Sequence, residues 1–334
     1  MKTGFAYIME ASQPLHGATP LLIDGKSVSF FIEPVLRYSR FRRRPQRQGD
    51  TDTAAVNSAV EEWELTFFAC SAHCLRLRVV FSSTPWSGSR ARHEGVLAKV
   101  GWWCRWSGSR PGDRDVTAMS QFLRESCSLE ANAFTSLGNC DIACDRNGVA
   151  LVGGPRAQFQ RLVLCQALAA AYHRLMSVKM LELTNHLKHR CGEDLAKLQE
   201  QVLAFNAGDF FCEPVDISRH QLQVVWRHVF QHWQLEQTNK QLTRQLSDIT
   251  GLLSAQWERS AQRAREERRM RERSAAKRQE AYRALKQAAL SRRAHRTDIT
   301  LSLIGLLSLL SLIQILPGDV GEFIAAWWAL VGAS

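Results

Sequence analysis

Between Ile217 and Arg296 the chain carries no proline and a single glycine, Gly251. An uninterrupted stretch of that kind predicts one helix, which would reach about 120 Å at about 1.5 Å per residue. Pro214 stands just before it, and Asp216 or Ser218 can cap its start. Leu235, Leu242 and Ile249 recur at seven-residue spacing, interleaved with Leu246 and Leu253. That is an a/d seam of about three heptads. His232 and Asn239 fall on the same seam, where a polar residue sets register. Beyond Trp257 the seam gives way to Arg, Glu and Ala, as in a single exposed helix or one laced by lateral ion pairs. The seam allows two partners. One is an antiparallel hairpin with upstream helices of the same chain. The other is a parallel oligomeric stalk, which a helix running straight into an apolar segment favours.

Charge is distributed unevenly. Arg259–Arg296 holds fourteen Lys/Arg and four Glu, a net of about +10 out of +11 for the whole chain. The rest is close to neutral, so a spread basic surface for nucleic acid is not expected. A run of this kind is either a solvated helix face or an anchor at an anionic lipid surface, where each basic residue contributes roughly 1 kcal/mol. The adjoining C-terminal segment favours the anchor. Ile299–Leu316 reads ITLSLIGLLSLLSLIQIL, without a charge. As a helix it spans about 27 Å, enough for a bilayer core. Pro317-Gly318 then breaks the helix, and Asp319 and Glu322 place the turn in water or headgroups. Phe323–Ser334 is apolar but short, with Trp327 and Trp328 suited to a membrane interface. It reads as the second arm of a hairpin or as an interfacial segment. Arg292, Arg293 and Arg296 flank the span on its N-terminal side, which places the preceding residues in the cytoplasm and the span in the cytoplasmic membrane.

Upstream, Arg156–Lys188 and Glu193–Asn206 carry apolar residues at helical spacing. Residues 1–150 differ, with β-branched and aromatic clusters between Gly, Ser and Pro breaks. Strands are expected at Ser27–Ile32, Trp63–Cys70, Leu75–Ser82, Val96–Trp106 and Val149–Val152. A helix is expected at Thr117–Leu129, capped by Asp115 or Thr117, and a loop at Arg40–Thr53. The fold class is α+β. It comprises an α/β domain with a mainly antiparallel sheet (1–154), a helical layer (155–215), a long stalk helix (216–297) and a membrane anchor (298–334).

Nine cysteines and a start, MKTGFAYIMEASQP, without a signal-like apolar core imply free thiols in a reducing compartment. Cys70/Cys74 and Cys140/Cys144 form two CxxxC pairs, the one set of candidate zinc ligands, although strand cysteines at that spacing share a core face. Gly153-Gly154 before a helix offers an anion cradle or a plain strand-to-helix turn. His16, His73 and His220 lack a recognisable nucleophile partner. Trp102, Trp103, Arg105 and Trp106 suit either base stacking or strand packing. Asp209–Pro214 (DFFCEP) is expected to pack the junction between helices. No nucleotide-binding loop, nucleophile elbow or metalloprotease motif is present, so no cofactor is expected, and an anchored enzyme whose N-terminal domain acts on a nucleotide or another small molecule ranks behind a channel and a scaffold.

The order of parts from Pro155 to Ser334 resembles the CorA-type divalent-cation channels. Residues Phe205–Trp226, FNAGDFFCEPVDISRHQLQVVW, are similar to the helical junction of bacterial CorA-like membrane effectors. The resemblance implies a homo-oligomer, as a rule a pentamer, with a pore-lining first span and a cytosolic body that answers a ligand or protein trigger. It also implies a role as an effector in bacterial defence. The family's Gly-Met-Asn at the end of the pore helix is replaced by Leu316-Pro317-Gly318, so magnesium selectivity does not carry over. In a pore, Thr300, Ser302, Ser308, Ser311 and Gln314 are the polar lining. In a plain scaffold anchor they hydrogen-bond within or between helices.

Overall fold

The computed structural model describes residues 3–44, 61–69, 71–85, 90–93, 96–99, 101–109, 115–145, 147–189 and 192–312, with 321, 322, 325, 327 and 328. In chain order the strands and helices are β1 (Thr3–Glu10), β2 (Thr19–Pro20), β3 (Leu22–Ile23), β4 (Lys26–Ser27), α1 (Glu33–Arg37), β5 (Arg40–Arg43), β6 (Glu62–Phe67) and β7 (Leu75–Ser82). Then come β8 (Arg90–His93), β9 (Val96–Lys99), β10 (Trp102–Ser107), α2 (Val116–Arg124), β11 (Thr135–Ser136), β12 (Cys140–Asp145) and β13 (Gly148–Gly153). Four helices close the chain: α3 (Arg156–His189), α4 (Gly192–Gly208), α5 (His220–His232) and α6 (Leu235–Leu312). The protein is α+β. Contacts divide it into two units, Met1–Leu253 and Ser254–Ser334, with the division inside α6.

The first unit is built on a nine-stranded sheet, ordered β11-β12-β13-β10-β1-β7-β6-β5-β2. Its pairs are antiparallel except β10 with β13. Central β1 pairs with β10 and β7, so Ala6 lies between Cys104 and Phe81. The two-residue period sorts its side chains. Ala6 and Ile8 enter the main core, whereas Phe5, Tyr7 and Met9 turn to the opposite face with Val80. On that second face, Met119 and Leu123 of α2 cover Ala143, Ala150 and Val152. Asp115 caps α2 by accepting from Ala118 N at 2.9 Å.

Helix α3 lies in the main core. Leu162 to Tyr172 are buried without interruption, so this segment has no solvent face. Its alanines let α4 and α5 pack close. Tyr172 joins the layers: its hydroxyl donates to Asp209 O at 3.1 Å and accepts from Phe211 N at 3.2 Å. Trp226 Nε1 donates to Cys212 O at 2.7 Å. The Asp209–Pro214 segment therefore packs the helical junction.

Several expectations change. The helix expected from Ile217 begins at His220 and is broken at Trp233–Gln234, then continues to Leu312. Neither proline nor glycine breaks it. Trp233 is drawn into the core, stacked on Trp102 at 6.0 Å and edge-on to His173 at 5.2 Å. Gln234 takes a φ of +50° to allow this. Asp216 accepts from Ser218 N at 2.8 Å in a turn ahead of α5, whose N-cap is Arg219. The loop expected over Arg40–Thr53 contains β5, and Val96–Trp106 is two strands rather than one. The Ser27–Ile32 strand shrinks to Lys26–Ser27 with a single bridge from Phe31 to Val215. The helix expected over Thr117–Leu129 ends at Arg124, with Glu125 left-handed.

The leucine seam also finds its partner inside the chain. Leu235, Leu242 and Leu246 are buried in the core that holds Leu195, Leu198, Val202 and Phe205 of α4, and Ile249 and Leu253 pack at its margin. Asn206 Nδ2 donates to Thr243 Oγ1 at 3.1 Å. His232, expected on the seam, is exposed, and Asn239 is buried. The parallel-stalk expectation for residues 235–253 gives way to intramolecular packing, because that face is already covered.

Candidate functional site

The sequence points to the C-terminal part of α6, and there the structure leaves side chains uncovered. Every residue from Glu258 to Leu309 is exposed. Among the described residues no ion pair forms within Arg259–Arg296. Helix propensity of Ala, Arg, Gln and Glu and the backbone ladder sustain this segment. Hydroxyls of Ser260, Ser274 and Ser291 donate to carbonyls one turn back. Arg292, Arg293 and Arg296 stand just before the apolar segment, all exposed.

From Ile299 the exposure becomes apolar. Ile299, Leu301, Leu303, Ile304, Leu306, Leu307 and Leu309 are each exposed. At about 100° per residue these side chains cover the full circumference of the helix. A helix apolar all round is normally enclosed by protein or lipid. Thr300 Oγ1 donates to Thr297 O and Ser308 Oγ to Ile304 O, both at 2.8 Å. The same rotation brings Thr300 and Ser308 into a sector of about 80°, and the side chain of Ser311 lies outside those described. Ser302 falls on the other side, so it is set apart from the expected polar lining. Gln314 and the rest of the expected span, 313–316, lie outside the described residues. The described apolar stretch, Ile299–Leu312, is about 21 Å long, against about 30 Å for a bilayer core. Among the described residues no helix is long and apolar enough to cross a membrane. Trp327 and Trp328 are exposed, and most of Phe323–Ser334 lies outside the described residues.

The other candidates resolve into packing. Cys74 precedes β7, whereas Cys140 and Cys144 lie on β12, four strands away across the sheet. At about 4.8 Å per strand that is about 19 Å, so the four cysteines cannot share a metal. Cys70 lies outside the described residues, and among those described no His/Cys/Asp/Glu group could hold a metal ion. Burial pushes the Cys144 thiol up to about 12, and raises Cys140 as well, which keeps both protonated. Gln158 Nε2 donates to Cys140 Sγ at 3.2 Å.

Gly153 and Gly154 adopt φ of +87° and +72° and turn the chain from β13 into α3. Gln158 Oε1 lies 2.5 Å from where a Gly154 side chain would begin, so this turn is filled rather than open to an anion. Trp106 stacks on Phe159 at 6.1 Å and donates to Gly153 O, while Arg105 donates to Ala118 O. These aromatic and basic residues serve the sheet, not a base. His16 is exposed. His73 is buried with Nε2 3.1 Å from Gln201 O, and burial lowers its pKa. Asp209 beside it is raised, chiefly by burial.

One concave surface has no local signature in the sequence. Lys26, Arg161, Arg219 and His220 meet at a cleft although they come from three distant segments. No protein-family model, curated protein or solved structure matches the chain.

Proposed function

We propose that this chain is an oligomeric membrane protein of CorA-like plan, a cation channel or membrane-perturbing effector governed by its N-terminal unit. The observation that carries the reading is the apolar circumference of α6 from Ile299 to Leu309, uncovered among the described residues and placed directly after the basic run. Lipid or copies of the same helix would cover it. The basic run would meet anionic headgroups, an attraction that weakens as salt screens it. Thr300 and Ser308 form the face that would line a pore or join neighbouring helices, and their intrahelical bonds lower the cost of their burial. By the positive-inside rule the first unit lies in the cytoplasm.

A second reading, a tail-anchored scaffold without a pore, is favoured by the seam. Leu235, Leu242 and Leu246 are consumed within one chain and so supply no oligomer contact. Ion flux from liposomes separates the two. Full-length protein should release ions, and a chain ending before Ile299 should not. Ser308→Leu should change the flux of a channel. Inserted protein that passes no ions with any trigger tested would leave the scaffold standing.

A further inference from the structure

In the first unit, the β3–β4 hairpin and the starts of α3 and α5 enclose a cleft of about 510 Å³. Its floor is apolar, with Phe30, Leu222 and Val225 buried. Its walls carry Lys26, Arg161, Arg219 and His220. Among the described residues no Asp or Glu lines it. The carboxylates nearest in sequence stand beside cleft cations: Asp24 is 3.9 Å from the Arg161 guanidinium, at the outer limit of an ion pair, and Asp216 accepts from Ser218 N within electrostatic reach of Arg219.

Lys26, Arg161 and Arg219 outnumber these two carboxylates and repel each other across one concavity, and a low-dielectric floor strengthens their field in the cleft. An anion relieves that repulsion. The remaining wall groups of Ser27, Ser29, Ser218 and Gln221 add neutral hydrogen-bonding capacity. The amino ends of α3 and α5 lie at the same cleft, so their dipoles favour the same sign of ligand. The volume falls in the range of small-molecule sites, and the floor suits an apolar body.

We propose that this cleft binds a small phosphorylated ligand. Its phosphate sits among Lys26, Arg161 and Arg219, and its apolar part rests on Phe30, Leu222 and Val225. Such a ligand ties the start of α5 to α3. Since α5 ends at His232 and only Trp233 and Gln234 separate it from α6, binding also biases the root of α6. Any membrane consequence rests on the function proposed for α6, whereas binding in the cleft does not.

The test is calorimetric titration of the full-length protein, in zwitterionic detergent, with inorganic phosphate and with phenyl phosphate. Phenyl phosphate should bind about tenfold more tightly than phosphate, reflecting the floor. Arg161→Glu with Arg219→Glu should abolish binding of both. Neutralising Arg292, Arg293 and Arg296 to glutamine should leave it unchanged. Should the charge-reversed protein fail to fold, Arg161→Gln, checked by its melting temperature, should still weaken binding about tenfold. Binding that survives the cleft variants, or is lost only with the α6 variant, overturns the proposal by assigning the anion to the basic run. No binding of either probe at millimolar concentration also overturns it, and equal affinities overturn the assignment of the floor.

Discussion

Leucines at the two ends of α6 meet opposite surroundings. Leu242 and Leu246 are each 1% exposed, whereas Leu301 is 65% and Leu309 is 64% exposed. The residue type and the backbone are the same. What differs is whether the chain supplies a cover. In the first unit the main core, which includes apolar residues of α4, encloses the leucines and removes them from water. In the second unit nothing among the described residues does, although the apolar side chains are as dense. A leucine pattern therefore states a need for burial without naming what meets it.

The largest expected effect lies at the uncovered end. Leu303→Asp with Leu307→Asp places two carboxylates in the apolar stretch, at about 2.5–3.5 kcal/mol each if it enters a bilayer centre. Carbonate-resistant membrane association should be lost while the first unit still melts cooperatively. Retained association would show that α6 is covered by something other than lipid.

The covered end should respond in the opposite sense. Leu242→Ala removes a fully buried side chain and should cost about 2–5 kcal/mol of unfolding free energy. Leu290→Ala, 55% exposed in the same helix, should stay within about 0.5 kcal/mol. Denaturant titration of the full chain in detergent measures both. Equal losses would mean that Leu290 is covered in solution and that the two units differ less than their exposures indicate. A smaller effect is expected at Asn239, whose buried Oδ1 has no hydrogen-bond partner among the described residues. Asn239→Leu should stabilise the first unit by about 1 kcal/mol, since it removes an unsatisfied carbonyl. A loss of stability would assign Asn239 a bond to a partner chain, and so revive an oligomeric seam.

The contrast between the units also marks how far a sequence reaches. Strand β7 is legible to the residue, because Leu75–Ser82 is a dense apolar and β-branched run between turn residues. Strand β1 is not. Phe5 to Met9 are buried on both faces of the sheet, so the alternation that marks a half-buried strand is absent. Strand β5 reads as a loop because Arg40–Arg43 is mostly arginine. It lies near the sheet edge, with Arg42 opposite Glu64. The heptad spacing of α6 is legible, but its partner is not, since a seam closed within one chain and a seam closed between chains share one pattern. The break at Gln234 carries no breaker residue and arises from where Trp233 is buried. The cleft cations become neighbours only through the fold, so no window of sequence contains them.

Acid should discriminate between the units by a smaller margin. Burial lowers the pKa of His73, His173 and His228, all in the first unit. Their folded values lie below the unfolded value of about 6.5, so the unfolded chain binds more protons in that window. The stability they contribute is complete above about pH 6.5 and is lost as pH falls towards the folded values. Asp209 acts with the opposite sign. Its folded pKa is raised, chiefly by burial, so its contribution is lost as pH rises from about 3.8 through the folded value. Near and just below pH 6.5 the histidines should dominate, and the melting temperature of the first unit should fall on acidification. His73→Gln keeps a donor for Gln201 O but cannot titrate, so it should flatten that slope without abolishing it. An unchanged slope would remove His73 from the acid response and leave His173 and His228, on α3 and α5, to account for it.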